Sequence, residues 1–131
     1  MDGLIDENER TLMDECRANA FTSKTEIENN LIGEWELIGY GDGWFPFTSQ
    51  PCAYLTFTEQ ELKFEIENFF LDTTFLLNWE IETLDTTGTF YRLKTSEPTK
   101  VGLFIGTFCE SYMFGDATAR DGHMHLYQKV E

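Results

Sequence analysis

The sequence predicts an all-β fold with an N-terminal helix, in which an eight-stranded antiparallel up-and-down β-barrel forms most of the molecule. After residue 31, apolar and aromatic residues alternate with polar ones at a period of two. Turn residues interrupt this pattern about every ten residues, as in sandwiches and barrels. Apart from the first, the connections between the predicted strands are short, so each strand is expected to pair with its neighbour. Closing such a meander removes its exposed edges.

The first 30 residues predict the helical segment of a single domain that covers residues 1–131. From Leu4 to Phe21, apolar residues recur every four positions and charged residues take the other side, so we expect an amphipathic helix that packs on the barrel. The segment Ser23-Lys-Thr-Glu26 matches a capping box, in which the serine side chain satisfies a free helix amide. It predicts a second short helix over 24–30, and we expect the helical segment to pack at one end of the barrel.

Residues 31–131 predict the barrel itself. The eight predicted strands cover residues 32–40, 52–58, 61–70, 74–84, 88–95, 100–109, 111–118 and 122–130. Alternation along these strands predicts which side chains face inward. They are Trp35, Leu37, Leu62, Phe64, Ile66, Phe75, Leu77, Trp79, Ile81, Tyr91, Leu93, Val101, Leu103, Ile105, Met124, Leu126 and Val130. The facing of the second, sixth and seventh strands is ambiguous. On the sixth strand Phe104 and Phe108 are apolar on the opposite face, so the N-terminal helix or a partner is expected to cover the outside there.

The chain is strongly acidic, with 24 Asp and Glu against 9 Lys and Arg and a formal net charge of -15. Binding to nucleic acid or to an anionic membrane is not expected, because the phosphate contacts that dominate such affinity need basic residues. A basic protein, a cation or a neutral ligand is easier to attract, although the charge alone also keeps an aromatic-rich domain soluble. The sequence has no signal-peptide pattern and no apolar run of membrane-spanning length, which indicates a cytoplasmic protein.

Three cysteines, Cys16, Cys52 and Cys109, are an odd number without the spacing of metal ligands. This count argues against a disulfide framework or a zinc site, so we expect three free, buried thiols and no cofactor.

The first predicted strand opens with Gly33-Glu-Trp35, directly after the short helix. This arrangement resembles the Gly-x-Trp signature of lipocalins and lipocalin-like proteins of the calycin superfamily, and as an architecture the resemblance covers residues 24–131. It implies that Trp35 plugs one end of the barrel beneath the helix and that the barrel holds a small hydrophobic molecule. The family often places an arginine over this tryptophan, and the nearest residue here is Lys129. With no secretory signal, the resemblance is to intracellular members.

The long connection over residues 39–51 contains Trp44, Phe45 and Phe47 among glycines and prolines. It is interpreted either as a lid over the barrel mouth, since ligand sites are often gated by loops, or as rings that cap the core. The inward aromatic residues offer a similar choice, because an eight-stranded barrel either holds one small ligand or fills with side chains. The ligand-lining residues predicted in this way are Trp44, Phe47, Phe64, Phe75, Trp79 and Tyr91.

Other polar residues are ambiguous. Arg92 faces outward or, if inward, pairs with a ligand carboxylate. His123 and His125 share one strand face and are interpreted as two exposed histidines or as two metal ligands that lack a third. A related group of haem-binding barrels uses a C-terminal histidine, but residues 36–38 interrupt that group's glycine pattern. No hydrolase, metalloprotease or phosphate-binding motif is present, so we do not expect an enzyme.

Three functions remain open at this level. The first is an intracellular lipocalin-like protein that binds a small, mostly apolar molecule in the barrel. The second is an acidic module, an assembly factor or inhibitor, that docks on a basic protein. The third is a barrel that handles a tetrapyrrole or another chromophore.

Overall fold

Two helices precede the sheet in the computed structural model, which describes residues 7–41, 52–67, 73–84, 91–96, 106–116 and 124–130. Helix α1 spans Glu7–Ala18 and helix α2 spans Lys24–Leu31. Ser23 caps α2, because its backbone is extended and its hydroxyl accepts a hydrogen bond from the Glu26 amide at 3.4 Å. The predicted start of the second helix is confirmed. Neither helix in the described part of the chain is long and apolar enough to cross a membrane.

Eight strands follow, and each pairs antiparallel with its neighbour in the chain. Strand β8 also pairs with β1, so the sheet closes into a barrel in the order β1 to β8. The predicted eight-stranded antiparallel up-and-down barrel is therefore confirmed. The strands are β1 Gly33–Gly41, β2 Cys52–Phe57, β3 Glu61–Glu67, β4 Thr73–Thr83, β5 Tyr91–Thr95, β6 Gly106–Phe108, β7 Tyr112–Asp116 and β8 Met124–Lys129.

Most of the predicted inner face lies in one core cluster. The buried residues of this cluster are Ile27, Leu31, Trp35, Leu37, Ala53, Leu55, Phe57, Leu62, Phe64, Leu77, Ile81, Tyr91, Leu93, Phe108, Met113 and Tyr127. Phe75 and Trp79 pack against it and are partly buried. Alternation therefore predicts β1, β3, β4 and β5 correctly over their described residues. The predicted inward residues Ile66, Val101, Leu103, Ile105 and Met124 lie outside the side chains that the structure describes.

Strand β8 faces the opposite way from the prediction, and on β6 the one described apolar residue that was expected outside, Phe108, faces the core. On β8 the core residue is Tyr127, whereas Leu126 pairs with Phe114 and lies in a separate apolar cluster with α1. Val130 is 41% exposed. On β6, Phe108 belongs to the core rather than to the outside. On β8 the prediction was wrong because apolar groups cover both faces of the strand, so alternation alone does not identify the inner one.

A bulge in β1 accompanies this outer contact. Leu37 pairs with Tyr127 and Gly39 pairs with Leu126, so β1 has one more residue than β8 over this stretch. The extra residue is Ile38, which packs against the cluster under α1. The bulge thus adds an apolar side chain to the outer wall where the helix covers it.

Helix α1 packs on this outer wall, as its amphipathic pattern predicts, while α2 enters the core at one end. The outer cluster consists of buried Met13, Cys16, Cys109, Phe114 and Leu126, with Ile38 and Tyr112 packed against it. The guanidinium carbon of Arg17 lies 4.9 Å from the centroid of the Phe114 ring.

Cys16 and Cys109 form a disulfide between α1 and the β6–β7 hairpin, with their Cα atoms 5.5 Å apart. The expectation of three free thiols is therefore wrong for these two residues. They are 93 positions apart in the sequence, and only the packing of α1 on the hairpin brings them together. The side chain of Cys52 lies outside the described ones.

Candidate functional site

Trp35 lies at the end of the barrel that α2 covers, which we call the helix-closed end. Its side chain is fully buried and its Nε1 donates a hydrogen bond to the carbonyl oxygen of Leu31 at 2.9 Å. Lys129 Nζ donates to the carbonyl oxygen of Asn30 at 2.7 Å and lies 5.6 Å from the centroid of the Trp35 ring. The two side chains satisfy carbonyls that the end of α2 would otherwise leave unpaired. Lys129 thus makes a cation–π contact with Trp35.

Gly33 makes the junction between α2 and β1. Its φ is +130°, a backbone conformation that L-amino acids with side chains rarely adopt. This requirement explains why a glycine stands two residues before Trp35. The Gly-x-Trp segment therefore has a structural role: the glycine turns the chain and the tryptophan fills the floor beneath the helix.

Helix α2 closes this end from several sides. Ile27 and Leu31 are buried in the core cluster. Asn30 Nδ2 donates hydrogen bonds to the carbonyl oxygens of Cys109 and Glu110, each at 3.0 Å. The helix is thereby fixed to the β6–β7 hairpin, and the interior is covered on this side.

Two of the predicted ligand-lining residues help to close the same end. Trp79 Nε1 donates to the carbonyl oxygen of Thr58 at 2.8 Å, and its ring stands edge-on to Phe57 at a centroid distance of 5.2 Å. The hydroxyl of Tyr91 donates to the carbonyl oxygen of Thr22 at 2.7 Å. Both polar groups therefore hold connecting segments at the helix-closed end.

Phe64 and Phe75 lie nearer the opposite end, which we call the far end, where β1 ends at Gly41 and β4 begins at Thr73. They are register partners on β3 and β4, with ring centroids 6.3 Å apart and planes at 24°. Phe64 is buried and Phe75 is half-buried. Among the predicted lining residues that the structure describes, these two form the aromatic pair on the far side of the interior.

The remaining two, Trp44 and Phe47, lie outside the described residues, as does most of the connection interpreted as a lid. That interpretation stays a prediction.

A row of register partners crosses the inner face from Tyr91 to His125. Gly106 pairs with Tyr91 and with Gly115, and Gly115 pairs with His125. His125 alternates with core residue Tyr127 on β8, so it faces inward, and it is half-buried. The interpretation of an exposed histidine is therefore wrong for His125, while His123 lies outside the described residues.

The two glycines leave the row without side chains between Tyr91 and His125. The Phe108 ring leans over Gly106, since a Cβ added there would lie 2.7 Å from Phe108 Cζ. Because barrel strands are tilted, the row runs obliquely from the helix-closed end towards the far end. Sequence reasoning missed this row, because the two glycines lie on different strands and only the strand register places them side by side.

Two surface concavities lie outside the core cluster. One has a volume of about 250 Å³ and is lined by Asn78, Trp79, Glu80, Lys94, Thr95 and Ser96. The other has a volume of about 420 Å³ and is lined by Glu36, Ser111, Tyr112, Gln128, Lys129 and Val130. Phe64 contributes to neither lining. Neither concavity is lined by the facing rings of Phe64 and Phe75.

Arg92 faces outward on β5, in agreement with one of the two interpretations of the sequence. Its Nη2 lies 2.6 Å from Glu82 Oε1 on the neighbouring strand. This hydrogen bond lowers the pKa of the Glu82 carboxyl below its ordinary value, and the charges of Arg92 and Lys94 act in the same direction, against a smaller opposing effect of burial. Arg92 therefore belongs to the charged outer wall.

Among the described residues, no three His, Cys, Asp or Glu side chains come together as a group that could hold a metal ion. Comparison with protein-family models, with curated proteins and with solved structures finds no match to this chain.

Proposed function

We propose that this protein binds a small, largely apolar molecule inside the barrel, and that the molecule enters at the far end. The observation that carries the proposal is that two inward-facing side chains towards the far end keep part of their surface exposed, whereas the residues by which α2 covers the other end do not. At the helix-closed end, Trp35, Ile27 and Leu31 are fully or almost fully buried. Towards the far end, the inward-facing Phe75 and His125 are only half-buried, as expected where an interior is accessible.

The chemistry of the inner face favours an apolar ligand with one polar group. Half-buried Phe75 and its neighbour Phe64 supply apolar surface, and removing such surface from water is the main driving force for small-ligand binding. His125 is the polar side chain on the inner row, and a hydrogen-bonding group of the ligand would lie beside it. Because the net charge of the chain is -15, a neutral or cationic ligand fits better than an anionic one.

The same observations support a lipocalin-like relationship as part of the proposal. The Gly33-x-Trp35 segment begins the first strand, Trp35 lies beneath α2, and Lys129 is positioned over its ring. The mechanism would be burial of apolar ligand surface and not chemistry on the ligand.

Binding can be tested with N-phenyl-1-naphthylamine, a neutral apolar fluorophore, and with retinol. A ligand that binds only the folded state raises its stability by about 2.7 kcal/mol at a hundredfold excess over Kd, so the midpoint of thermal unfolding should rise by at least about 5 °C. No shift with either compound, and no fluorescence enhancement, would count against the proposal.

Two variants locate the site. Gly115→Leu adds a side chain to the inner row beside His125 and should weaken binding at least about tenfold, because the side chain fills space that the ligand needs. Phe75→Trp enlarges a side chain on the opposite wall and should weaken binding to a similar extent. The matched control is Leu76→Ala, because Leu76 is adjacent on β4 but points outward and is 69% exposed. Circular dichroism verifies that each variant is folded. Unchanged binding in both folded inner-face variants would exclude the far end as the site.

The outer wall supports a second candidate, an acidic module that docks on a basic protein. On β3, β4 and β5 the cations Lys63, Arg92 and Lys94 contact wall glutamates at 2.6–3.8 Å. These cations are therefore already paired, while the chain as a whole keeps a net charge of -15. Association with a basic partner would weaken steeply as salt rises, since opposite charges steer such encounters. Binding to the neutral fluorophore would not, and this difference separates the two functions.

A further inference from the structure

The disulfide between Cys16 and Cys109 is the covalent connection between α1 and the barrel wall. Cys16 lies towards the end of α1, and Cys109 directly follows β6 in the β6–β7 hairpin. The hairpin also accepts the hydrogen bonds of Asn30 from α2. One short segment of the barrel therefore holds both helices, α2 by hydrogen bonds and α1 by a covalent bond.

Besides this bond, a small apolar face and the contact of Arg17 with Phe114 hold α1 on the wall. It has 12 residues, and its buried side chains are Glu9, Met13 and Cys16. Isolated helices of this length are marginal in water, and in proteins most of their stability comes from packing of an apolar face. The apolar face of α1 is small, so its position on the wall depends strongly on the tie at Cys16.

The chain after α1 is anchored independently. The Phe21 amide donates to the carbonyl oxygen of Phe108 at 2.8 Å, and Tyr91 donates to the carbonyl oxygen of Thr22. If α1 left the wall, its release would stop at Phe21, and α2 would remain in place. The position of α1 therefore depends on the disulfide, whereas the chain from Phe21 onwards is held by these two hydrogen bonds.

Under α1 lies an apolar surface of the barrel. Phe114 and Leu126 are 3% and 0% exposed, and Ile38 packs beside them. The β1 bulge directs Ile38 to this side. Departure of α1 would uncover all three side chains as one patch on the outer wall.

We propose that the Cys16–Cys109 disulfide is a redox latch, whose reduction releases α1 and uncovers the patch formed by Ile38, Phe114 and Leu126. The reductant is a dithiol. One of its thiolates attacks a sulfur of the disulfide and forms a mixed disulfide as the Cys16–Cys109 bond breaks. Its second thiolate then displaces the protein sulfur, so that the dithiol is oxidised to a disulfide and two protons end on the cysteine thiols.

Burial couples this chemistry to the movement of the helix. Cys16 and Cys109 are 2% and 6% exposed, so a reductant reaches either sulfur only when α1 opens locally. Disulfides persist in oxidising compartments and are reduced in the cytoplasm. The redox state of the surroundings therefore determines whether the outer wall is covered or open.

Amide hydrogen exchange read by mass spectrometry tests the latch on the full chain, air-oxidised and after reduction with dithiothreitol. The expected result is that peptides of α1 exchange at least about tenfold faster after reduction, while peptides of α2 and β1 keep their protection. The apolar dye bis-ANS should bind the reduced protein more strongly. Cys16→Ser and Cys109→Ala, without reductant, should reproduce the reduced state. Cys52→Ser is the matched control and should behave like the oxidised wild type.

Three results would overturn the latch. The first is alkylation of all three cysteines in the unreduced, denatured protein, which would mean that the bond does not form. The second is unchanged protection of α1 after reduction verified by mass. The third is loss of protection throughout the barrel, which would make the disulfide a global support. None of these readouts depends on whether the barrel binds a ligand.

Discussion

The indole of Trp35 illustrates how one residue joins helix to barrel. It is the largest of the fully buried side chains and donates a hydrogen bond to the carbonyl oxygen of Leu31. In Trp35→Phe that carbonyl loses its partner and the floor of the barrel loses volume, so we expect the free energy of unfolding to fall by about 2–4 kcal/mol. Urea denaturation measures this loss. Leu76→Ala, on the exposed wall, should change stability by less than about 0.5 kcal/mol, and equal losses would contradict the assigned role.

The carboxyl of Glu82 gives a pH-dependent prediction at the same scale. Its pKa lies below the ordinary value of 4.5, chiefly because Arg92 donates a hydrogen bond to it. The pKa of Glu82 is lower in the folded protein than in the unfolded chain. The Arg92–Glu82 pair therefore stabilises the fold at pH values above the ordinary pKa of the carboxyl, and this stabilisation is lost as the pH falls through the folded-state pKa.

Carbon-13 NMR titration of the Glu82 carboxyl checks this assignment. Arg92→Gln should return the pKa towards 4.5. Lys94→Gln should raise it less, because Lys94 Nζ lies 3.8 Å from Glu82 Oε2 whereas Arg92 Nη2 lies 2.6 Å from Glu82 Oε1. A larger effect of the lysine change would mean that charge and not the hydrogen bond controls the carboxyl.

The sequence predicts the identity of many core residues but not what their polar atoms do. Alternation placed Trp79 and Tyr91 inside correctly, yet the hydrogen bonds to Thr58 and Thr22 depend on connections whose course alternation does not encode. The Cys16–Cys109 pairing had no sequence signal for the same reason. Local patterns report which face a residue takes, whereas partners far along the chain follow from tertiary packing.

At the scale of elements, the capping box of α2 was the most specific local signal. The Ser23 hydroxyl accepts from the Glu26 amide, and without it that amide at the helix start loses a partner. We therefore expect Ser23→Ala to lower the free energy of unfolding by about 1 kcal/mol in urea denaturation. Thr25→Ala in the first turn removes a hydroxyl that does not cap, and it should cost nothing or stabilise slightly, since alanine is the better helix former. Equal effects would argue against capping.

Strand positions were predicted better than strand faces. Turn residues limit where a strand can run, and each described strand lies inside a predicted one, except that β1 ends and β4 begins one residue beyond it. Facing depends on which side of the sheet is covered. On β8, α1 covers the outside, so Leu126 is as buried as Tyr127. Because of the helix contact and the β1 bulge, the alternation of apolar and polar residues does not predict the inner face of β8. It does predict the inner faces of β3 and β4, whose outer faces are solvated.

For the whole molecule, the main long-range contribution to the free energy of unfolding comes from its net charge. A net charge of -15 on 131 residues repels itself more in the compact state than in the expanded unfolded chain. Salt shortens the Debye length from ~30 Å at ~10 mM to ~8 Å at ~150 mM, so it should relieve more repulsion in the folded protein. We expect the urea midpoint of unfolding to rise between these two sodium chloride concentrations.

The variant Glu34→Lys distinguishes the relief of overall charge repulsion by salt from the binding of a salt ion at a specific site. Glu34 is exposed on β1, and the change brings the net charge from -15 to -13, by removal of one negative and addition of one positive charge. The variant should be more stable than wild type at low salt and less sensitive to salt, because both effects come from the same repulsion. A midpoint that is independent of salt, or a variant with a steeper salt dependence, would mean that local ion pairs such as Arg92–Glu82, which salt weakens, outweigh the charge of the molecule as a whole.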